Sequence, residues 1–157
     1  MPNEREKINK LKEVIHYITT KFSGLRRTQL IKLAYLIDRK FYKEKKIELT
    51  GIDYFMHFYG PYCNEFEDAL IDLKLENSIH EESQGMGYKL YFNQSLDYDL
   101  NEDEIEIIDD VLQYADEKGL ICTAKEIKSY VYELPEIKDV NLGDSIDFEK
   151  ILSSEQS

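Results

Sequence analysis

The spacing of apolar residues predicts two helices in the first part of the chain. In residues 4–22 apolar side chains recur every three or four positions, which predicts an amphipathic helix, and Ser23-Gly24 is typical of its end. Residues 30–37 are apolar on nearly every side, so we expect a buried central helix that Thr28 caps. The apolar stripe of the first helix consists of Ile8, Leu11, Val14, Ile15, Ile18 and Phe22.

The middle of the chain predicts a strand, a helix and a hairpin. The aromatic run at 52–59 favours a strand that Gly60-Pro61 ends. Asn64 and Glu67 have the spacing of a capping box for a helix of about three turns. The alternating segments on either side of residues 83–87 predict an antiparallel β-hairpin with a glycine-containing loop. Three helices followed by a hairpin predict a winged-helix-like arrangement.

Two further helices are predicted after the hairpin. Asn101 and Glu104 form the pattern of a capping box, and the helix that they begin ends near Gly119. A similar pattern at Thr123 begins a fifth helix, which Pro135 ends. The fold class that follows is α+β and mainly α-helical.

These elements predict one domain of about five helices with a small antiparallel hairpin, over residues 1–138. Residues 139–157 form an acidic C-terminal tail that we expect to be partly docked or disordered. The apolar residues available to dock it are Ile146, Phe148, Ile151 and Leu152.

Charge is distributed unevenly over the 157 residues, whose formal net charge is -12. Residues 21–46 contain nine Lys or Arg and two acids, whereas residues 97–117 contain ten acids and no base. The overall acidity disfavours nucleic acid as a partner, because the long-range field repels phosphate. Some of the cations after residue 37 lie where the C-terminus of a helix favours them.

The basic residues keep a second interpretation open, which is a winged-helix DNA-binding regulator that uses the 26–46 helix. Residues 30–37 count against it, because they offer no exposed polar side chains to base edges. The cations that would contact phosphates are Arg26, Arg27, Lys40, Lys43, Lys45 and Lys46.

The sequence predicts a cytoplasmic protein that does not enter a membrane. No apolar run approaches the roughly 20 residues of a spanning helix, and the first ten residues are polar. Cys63 and Cys122 do not form a metal or redox spacing, and two cysteines do not build a disulfide framework.

Patterns for catalysis, metal binding or cofactor binding are not found. His16, His57 and His80 lie on three different predicted elements, without the spacing of a metal site. Cys63 lies six residues after His57, but nothing in the sequence orients the imidazole. We therefore predict no catalytic residue, no metal and no cofactor, and a protein that is not an enzyme.

Asp38 and Arg39 place two charges directly after the apolar part of the central helix. The arginine either extends along the helix into solvent or is a half-buried fork that holds a carboxylate. The sequence leaves both alternatives open.

Several of these residues together form a recognisable pattern. The run KLAYLIDR at residues 32–39, Gly51 and then FYGP at 58–61 resemble the SocA-like antitoxin family, also called the Panacea domain. TAKEI at 123–127, with Tyr130 and Pro135, is similar to the closing helix of that family. The resemblance covers residues 24–138.

The resemblance implies a non-enzymatic domain that neutralises a protein toxin by direct binding, usually one encoded by an adjacent gene. Some members are phage-associated, and partners vary widely. An acidic surface would suit a basic toxin, and the oligomeric state stays open. By this resemblance the shared positions, either scaffold or partner-binding, are Lys32, Tyr35, Asp38, Arg39, Tyr59, Gly60 and Pro61.

The chain departs from the common family pattern at two places. Ala34 stands where leucine is commoner, and Tyr62-Cys63-Asn64 follows Gly60-Pro61 where a small or branched residue is usual. These differences make the identity of a partner harder to transfer.

Overall fold

The structure is a computed structural model that describes residues 2–155. Its helices are α1 Glu4–Lys21, α2 Arg27–Lys45, α3 Glu65–Leu75, α4 Glu102–Glu117, α5 Ala124–Tyr132, α6 Pro135–Lys138 and α7 Glu149–Glu155. Its strands are β1 Leu25–Arg26, β2 Phe55–His57, β3 Gly60–Tyr62, β4 Ile79–Gln84 and β5 Gly87–Phe92. The prediction of a mainly α-helical α+β fold is confirmed.

Helices α1, α2 and α3 with the β4–β5 hairpin form the winged-helix-like part. The hairpin turns at Gly85-Met86. Strand β1 pairs with β5, so the antiparallel sheet has the order β1-β5-β4. Leu25 pairs with Leu90 in this sheet, and both side chains are buried. The sheet therefore closes one side of the helical core.

Helix α2 lies at the centre of the fold, as its apolar sequence predicts. Every residue at 30–37 is at most 8% exposed. The helix packs against α1, α4, α5 and strand β3. A helix that is apolar on all sides needs partners on all sides, and α2 has them.

The aromatic run at 52–59 forms half of a second hairpin instead of one long strand. Strand β2 ends at His57, the chain turns at Phe58-Tyr59, and Gly60-Pro61 begins the return strand β3. The prediction that Gly60-Pro61 ends a strand is therefore wrong. Gly60 has a φ of +109°, which an L side chain adopts only with strain, so glycine makes this tight return possible.

Two predicted helix caps differ from the structure. Helix α2 begins one residue before Thr28, because the Arg26 amide donates to the Gln29 side chain at 2.9 Å and this contact sets the helix start. Asn64 has helical backbone angles and makes no capping bond, since the turn from β3 already leads into α3. The sequence signals mark the correct region but not the capping atoms.

Two later predictions concern α4 and α5. The box at Asn101 and Glu104 is confirmed, with side-chain to backbone bonds of 2.8 and 3.0 Å. Helix α5 already ends at Tyr132, and Pro135 begins α6, where its missing N–H is not needed.

Residues 143–151 pack onto the second hairpin and α2. The Met56 amide donates to the Asp144 carbonyl at 2.9 Å, and the Ile146 amide donates to the Tyr54 carbonyl at 2.9 Å. Ile146 and Ile151 are buried, and the Phe148 ring contacts the Tyr35, Tyr42 and Tyr54 rings. The last two residues of the predicted tail, 156 and 157, lie outside the described residues.

Candidate functional site

The seven motif positions separate into two groups in the structure. Tyr35, Asp38 and Arg39 lie on the part of α2 that faces the C-terminal elements. Lys32 lies one to two turns earlier, beneath the β2–β3 hairpin that carries the other three positions. The structure thus gathers Lys32, Tyr59, Gly60 and Pro61 around one cavity.

Asp38 ties the loop after α2 to that helix. Its carboxylate accepts hydrogen bonds from the Thr50 amide at 3.1 Å, the Thr50 hydroxyl at 2.8 Å and the Tyr54 hydroxyl at 2.6 Å. The side chain is 2% exposed, and burial raises the pKa of Asp38 to about 6, although these hydrogen bonds oppose the shift. Its environment is that of a structural carboxylate.

Arg39 is a half-buried fork that holds a carboxylate, which decides between the two alternatives of the sequence. Its Nε donates to both oxygens of Glu136, at 2.9 and 2.8 Å, and the Tyr35 hydroxyl donates to the same carboxylate at 3.4 Å. The Glu136 side chain is completely buried. The ion pair fixes α6 onto α2 and engages both Arg39 and Tyr35 inside the fold.

A cavity of about 220 Å³ opens between α2, α3 and the β2–β3 hairpin, and we call it the Lys32 cavity. Apolar side chains at Ile31, Pro61 and Phe66 line it, and Arg27, Glu67 and Tyr62 add polar groups. Lys32 lies against Gly60, where a β-carbon would stand 3.1 Å from Lys32 Cε. The glycine therefore lets the hairpin close over the lysine.

The Lys32 ammonium has no acceptor among the described residues, although the side chain is only 2% exposed. No fully enclosed polar side-chain atom of residues 2–155 lacks a partner. The ammonium therefore still touches solvent, and the cavity that Lys32 lines provides the opening. Burial lowers the pKa of Lys32 to about 8, and the positive charge of Lys128 contributes in the same direction.

The β2–β3 hairpin presents two aromatic side chains beside this cavity. Phe58 is 70% exposed and Tyr59 is 59% exposed. Helix α5 holds the turn in place, because the Tyr132 hydroxyl donates to the Phe58 carbonyl at 3.2 Å. Lys128 lies 5.4 Å from the centre of the Tyr59 ring, a cation–π distance. The exposed rings therefore project from a fixed turn.

The family model described as antitoxin SocA-like, Panacea domain, matches residues 30–136. The match covers most of the chain, from the start of the apolar part of α2 to Glu136.

The chain belongs to the SocA-like antitoxin family.

The match includes all seven motif positions and the β2–β3 hairpin of this Panacea domain. It supports an antitoxin-type role. No curated protein and no solved structure matches the chain significantly.

Three cations of the basic run at 21–46, Arg27, Arg39 and Lys40, are paired with acids of the same chain. Arg27 donates to Glu81 at 2.6 and 2.8 Å and to Glu67 at 2.9 Å, and Lys40 pairs with Glu44 at 3.1 Å. The helix before the β4–β5 hairpin, α3, has three acids in its first turn. The DNA-binding alternative needs α2 to contact DNA, but residues 30–37 of α2 are at most 8% exposed, and the acids of α3 would repel phosphate, so the geometry disfavours it.

Sequence reasoning missed three residues that build the site. Lys128 and Tyr132 on α5 hold the hairpin, and Glu136 binds Arg39 from 97 positions away. A single buried acid after a proline gives no local pattern, and a lysine on an exposed helix turn gives none either. The sequence does contain one relevant signal, a lysine and an aspartate within the apolar part of α2. This signal identifies α2 but not the residues elsewhere in the chain that contact it.

The described residues provide little for catalysis. Within 2–155, no group of three or more His, Cys, Asp or Glu could hold a metal ion. Burial raises the pKa of the Cys63 thiol, which disfavours the thiolate that a nucleophile needs.

The helices of residues 2–155 are all too short or too polar to cross a bilayer.

Proposed function

We propose that this protein is a non-enzymatic antitoxin that neutralises a protein toxin by binding it directly. Membership of the SocA-like family supports the antitoxin role. The observation that supports direct binding is the pair Phe58 and Tyr59, which a fixed turn holds in solvent beside a cavity. Large aromatic side chains on a rigid support are the usual anchors of protein interfaces.

The charge of the molecule suits a basic toxin made in the same cytoplasm, encoded by an adjacent gene. Several acids on α4 are exposed and would attract such a partner at long range, which raises the association rate more than the affinity. The exposed acids of α4 are Glu102, Asp103, Glu106, Asp110, Asp116 and Glu117.

The test is growth rescue by co-expression with each adjacent gene. A neighbour that stops growth alone, is tolerated with this protein and co-purifies with it would be the toxin. A doubly substituted Phe58→Ala, Tyr59→Ala protein should rescue at least about tenfold less well, because each interface anchor contributes about 1–2 kcal/mol or more.

The matched control uses the other hairpin. Met86 and Tyr88 on the β4–β5 hairpin are also exposed aromatic or large apolar residues. The Met86→Ala, Tyr88→Ala protein should rescue as well as the unchanged chain. Full rescue by the Phe58, Tyr59 variant would exclude this turn as the toxin-binding surface, and a set of non-toxic neighbours that do not co-purify would exclude the paired antitoxin.

A further inference from the structure

The Lys32 ammonium is left unexplained by the packing of the fold. A buried charge is costly unless it is paired, and a methionine of similar length would fill the same space without that cost. Lys32 is 2% exposed, has no acceptor among residues 2–155 and lines a cavity that is open to solvent. Such an ammonium is suited to pair with an anion that enters the cavity from outside.

The charges around the Lys32 cavity indicate the charge of that anion. The Arg27 guanidinium is engaged by Glu67 and Glu81, and Lys128 lies over the Tyr59 and Tyr132 rings. Glu67, which also lines the cavity, would repel a second negative charge. One ammonium is thus available to one negative charge, and a phosphate dianion would be poorly neutralised.

The side chains that line the Lys32 cavity indicate what kind of chemical group carries the negative charge of the anion. Ile31, Pro61 and Phe66 contribute apolar surface to the same lining as Lys32. A volume of about 220 Å³ lies below the range of about 300–1,000 Å³ that is typical of sites for drug-sized ligands. The space therefore fits a short chain of a few carbon atoms rather than a nucleotide or a sugar phosphate.

We propose that the Lys32 cavity is a binding site for one carboxylate group carried on a short apolar arm, which pairs with the Lys32 ammonium. A glutamate side chain of a protein partner has this chemistry, and so does a small free carboxylic acid. The exposed Phe58 and Tyr59 lie beside the cavity and would contact the molecule that carries the carboxylate.

The first experiment tests the site itself and does not depend on a toxin. The full chain with ¹³C-labelled lysines is titrated with butyrate, and the Lys32 side-chain signal is followed by NMR. Butyrate should shift this signal saturably, at a concentration on the order of millimolar for so few atoms. It should also raise the pKa of Lys32 from about 8 by about one unit, a tenfold gain in proton affinity, because an opposite charge favours the ammonium.

Butyramide, the neutral analogue of the same shape, should produce no such shift. The Lys32→Met protein should lose the butyrate response at the cavity residues, whereas Lys40→Met, which changes an ion-paired lysine on the same helix, should retain it. An unsaturable or absent response to butyrate, an equal response to butyramide, or tighter binding of inorganic phosphate would overturn the proposal.

The second experiment identifies the source of the carboxylate, and this step alone rests on the proposed function. Lys32→Met and Lys40→Met proteins are compared in the growth-rescue assay with a toxic neighbour. Loss of rescue only in Lys32→Met assigns the carboxylate to the toxin. Full rescue by both, with butyrate binding intact in the unchanged chain, assigns the cavity to a free acid.

Discussion

Helix α2 carries two ionisable residues, Lys32 and Asp38, at positions where the interior disfavours charge. Asp38 has three hydrogen-bond donors around it, whereas Lys32 has no acceptor among residues 2–155. The difference separates a carboxylate that organises the fold from an ammonium that the fold only tolerates. Substitutions at the two sites should therefore change stability in different ways.

Replacing Lys32 should stabilise the protein. The pKa of Lys32 is about 8 in the folded state and 10.5 ordinarily, so the unfolded chain binds more protons between these values. Stability should rise with pH across this window, and at pH 7 the charge costs up to about 3 kcal/mol. We expect Lys32→Met to raise the free energy of unfolding by about 1–3 kcal/mol, measured by urea denaturation at pH 7.

The control for the expected gain in the free energy of unfolding of Lys32→Met is its dependence on pH. The stability difference between Lys32→Met and the unchanged protein should shrink as pH rises from 8 to 10.5, since the lysine then becomes neutral. A Lys32→Met protein that is less stable at pH 7 would show that the ammonium has a stabilising partner.

Asp38 should make the fold less stable as pH rises from acidic towards neutral values. Its pKa is about 6 in the folded state and 3.8 ordinarily, so the folded protein binds more protons between these values. The associated stability is fully present below about pH 3.8 and is lost as pH rises through 6, by roughly 3 kcal/mol. An Asp38→Asn protein should lack this loss, which thermal unfolding of both proteins between pH 4 and 7 would measure. Parallel curves for the two proteins would contradict it.

Helices α2 and α6 are joined by an ion pair whose two partners are exposed to different degrees. The Glu136 side chain is fully buried, whereas Arg39 keeps 16% of its side-chain exposure. An Arg39→Met change would leave a buried carboxylate without its partner, and we expect a loss of about 3–5 kcal/mol in the free energy of unfolding. The doubly substituted Arg39→Met, Glu136→Met protein should recover most of the loss. Urea denaturation of the unchanged protein, the two single variants Arg39→Met and Glu136→Met, and the double variant would show it. Losses that add without recovery would mean that the two side chains act independently.

The elements that the sequence predicted well are those whose signals are local. The apolar spacing in α1, the continuous apolar run in α2 and the box at Asn101 each depend on neighbours within a turn or two. The β4–β5 hairpin is similar, because its loop and its two strands are adjacent in sequence. Local chemistry is sufficient to specify such elements.

The elements that the sequence did not predict depend on distant partners. Strand β2 is only three residues long, and both of its edges are satisfied from elsewhere, by β3 and by the segment around Asp144. Glu136 becomes part of the site only because α6 returns to Arg39. For the candidate site, the sequence provided Lys32 and the residues 59–61, but the cavity between them follows from the tertiary structure.

At the scale of the whole molecule, negative charge is concentrated on α4 and its approach. Reversing exposed acids there should slow association with the basic toxin that we propose as partner, because the long-range attraction is lost. Glu106, Asp116 and Glu117 lie outside the first turn of α4, so a lysine at each does not oppose the helix dipole there. The triple Glu106→Lys, Asp116→Lys, Glu117→Lys protein should associate about tenfold more slowly at low salt.

The control changes the net charge equally at scattered sites. A triple Glu82→Lys, Glu133→Lys, Asp139→Lys protein alters three exposed acids away from α4. Stopped-flow association rates at low and high salt should fall less for this control, and the two variants should converge at high salt. Equal association rates for the α4 variant and the unchanged protein at low salt would show that the acids of α4 do not accelerate association.

The pairing of residues 143–146 with strand β2 has a consequence for how the protein is made. The chain outside the family-matched region provides the hydrogen bonds that satisfy the outer edge of β2. A ribosome must therefore translate about ninety residues beyond β2 before that edge can be covered. Nascent chains that pause earlier expose a strand edge next to Phe58 and Tyr59, and such edges recruit other strands. Chaperone capture during synthesis would concentrate at this hairpin.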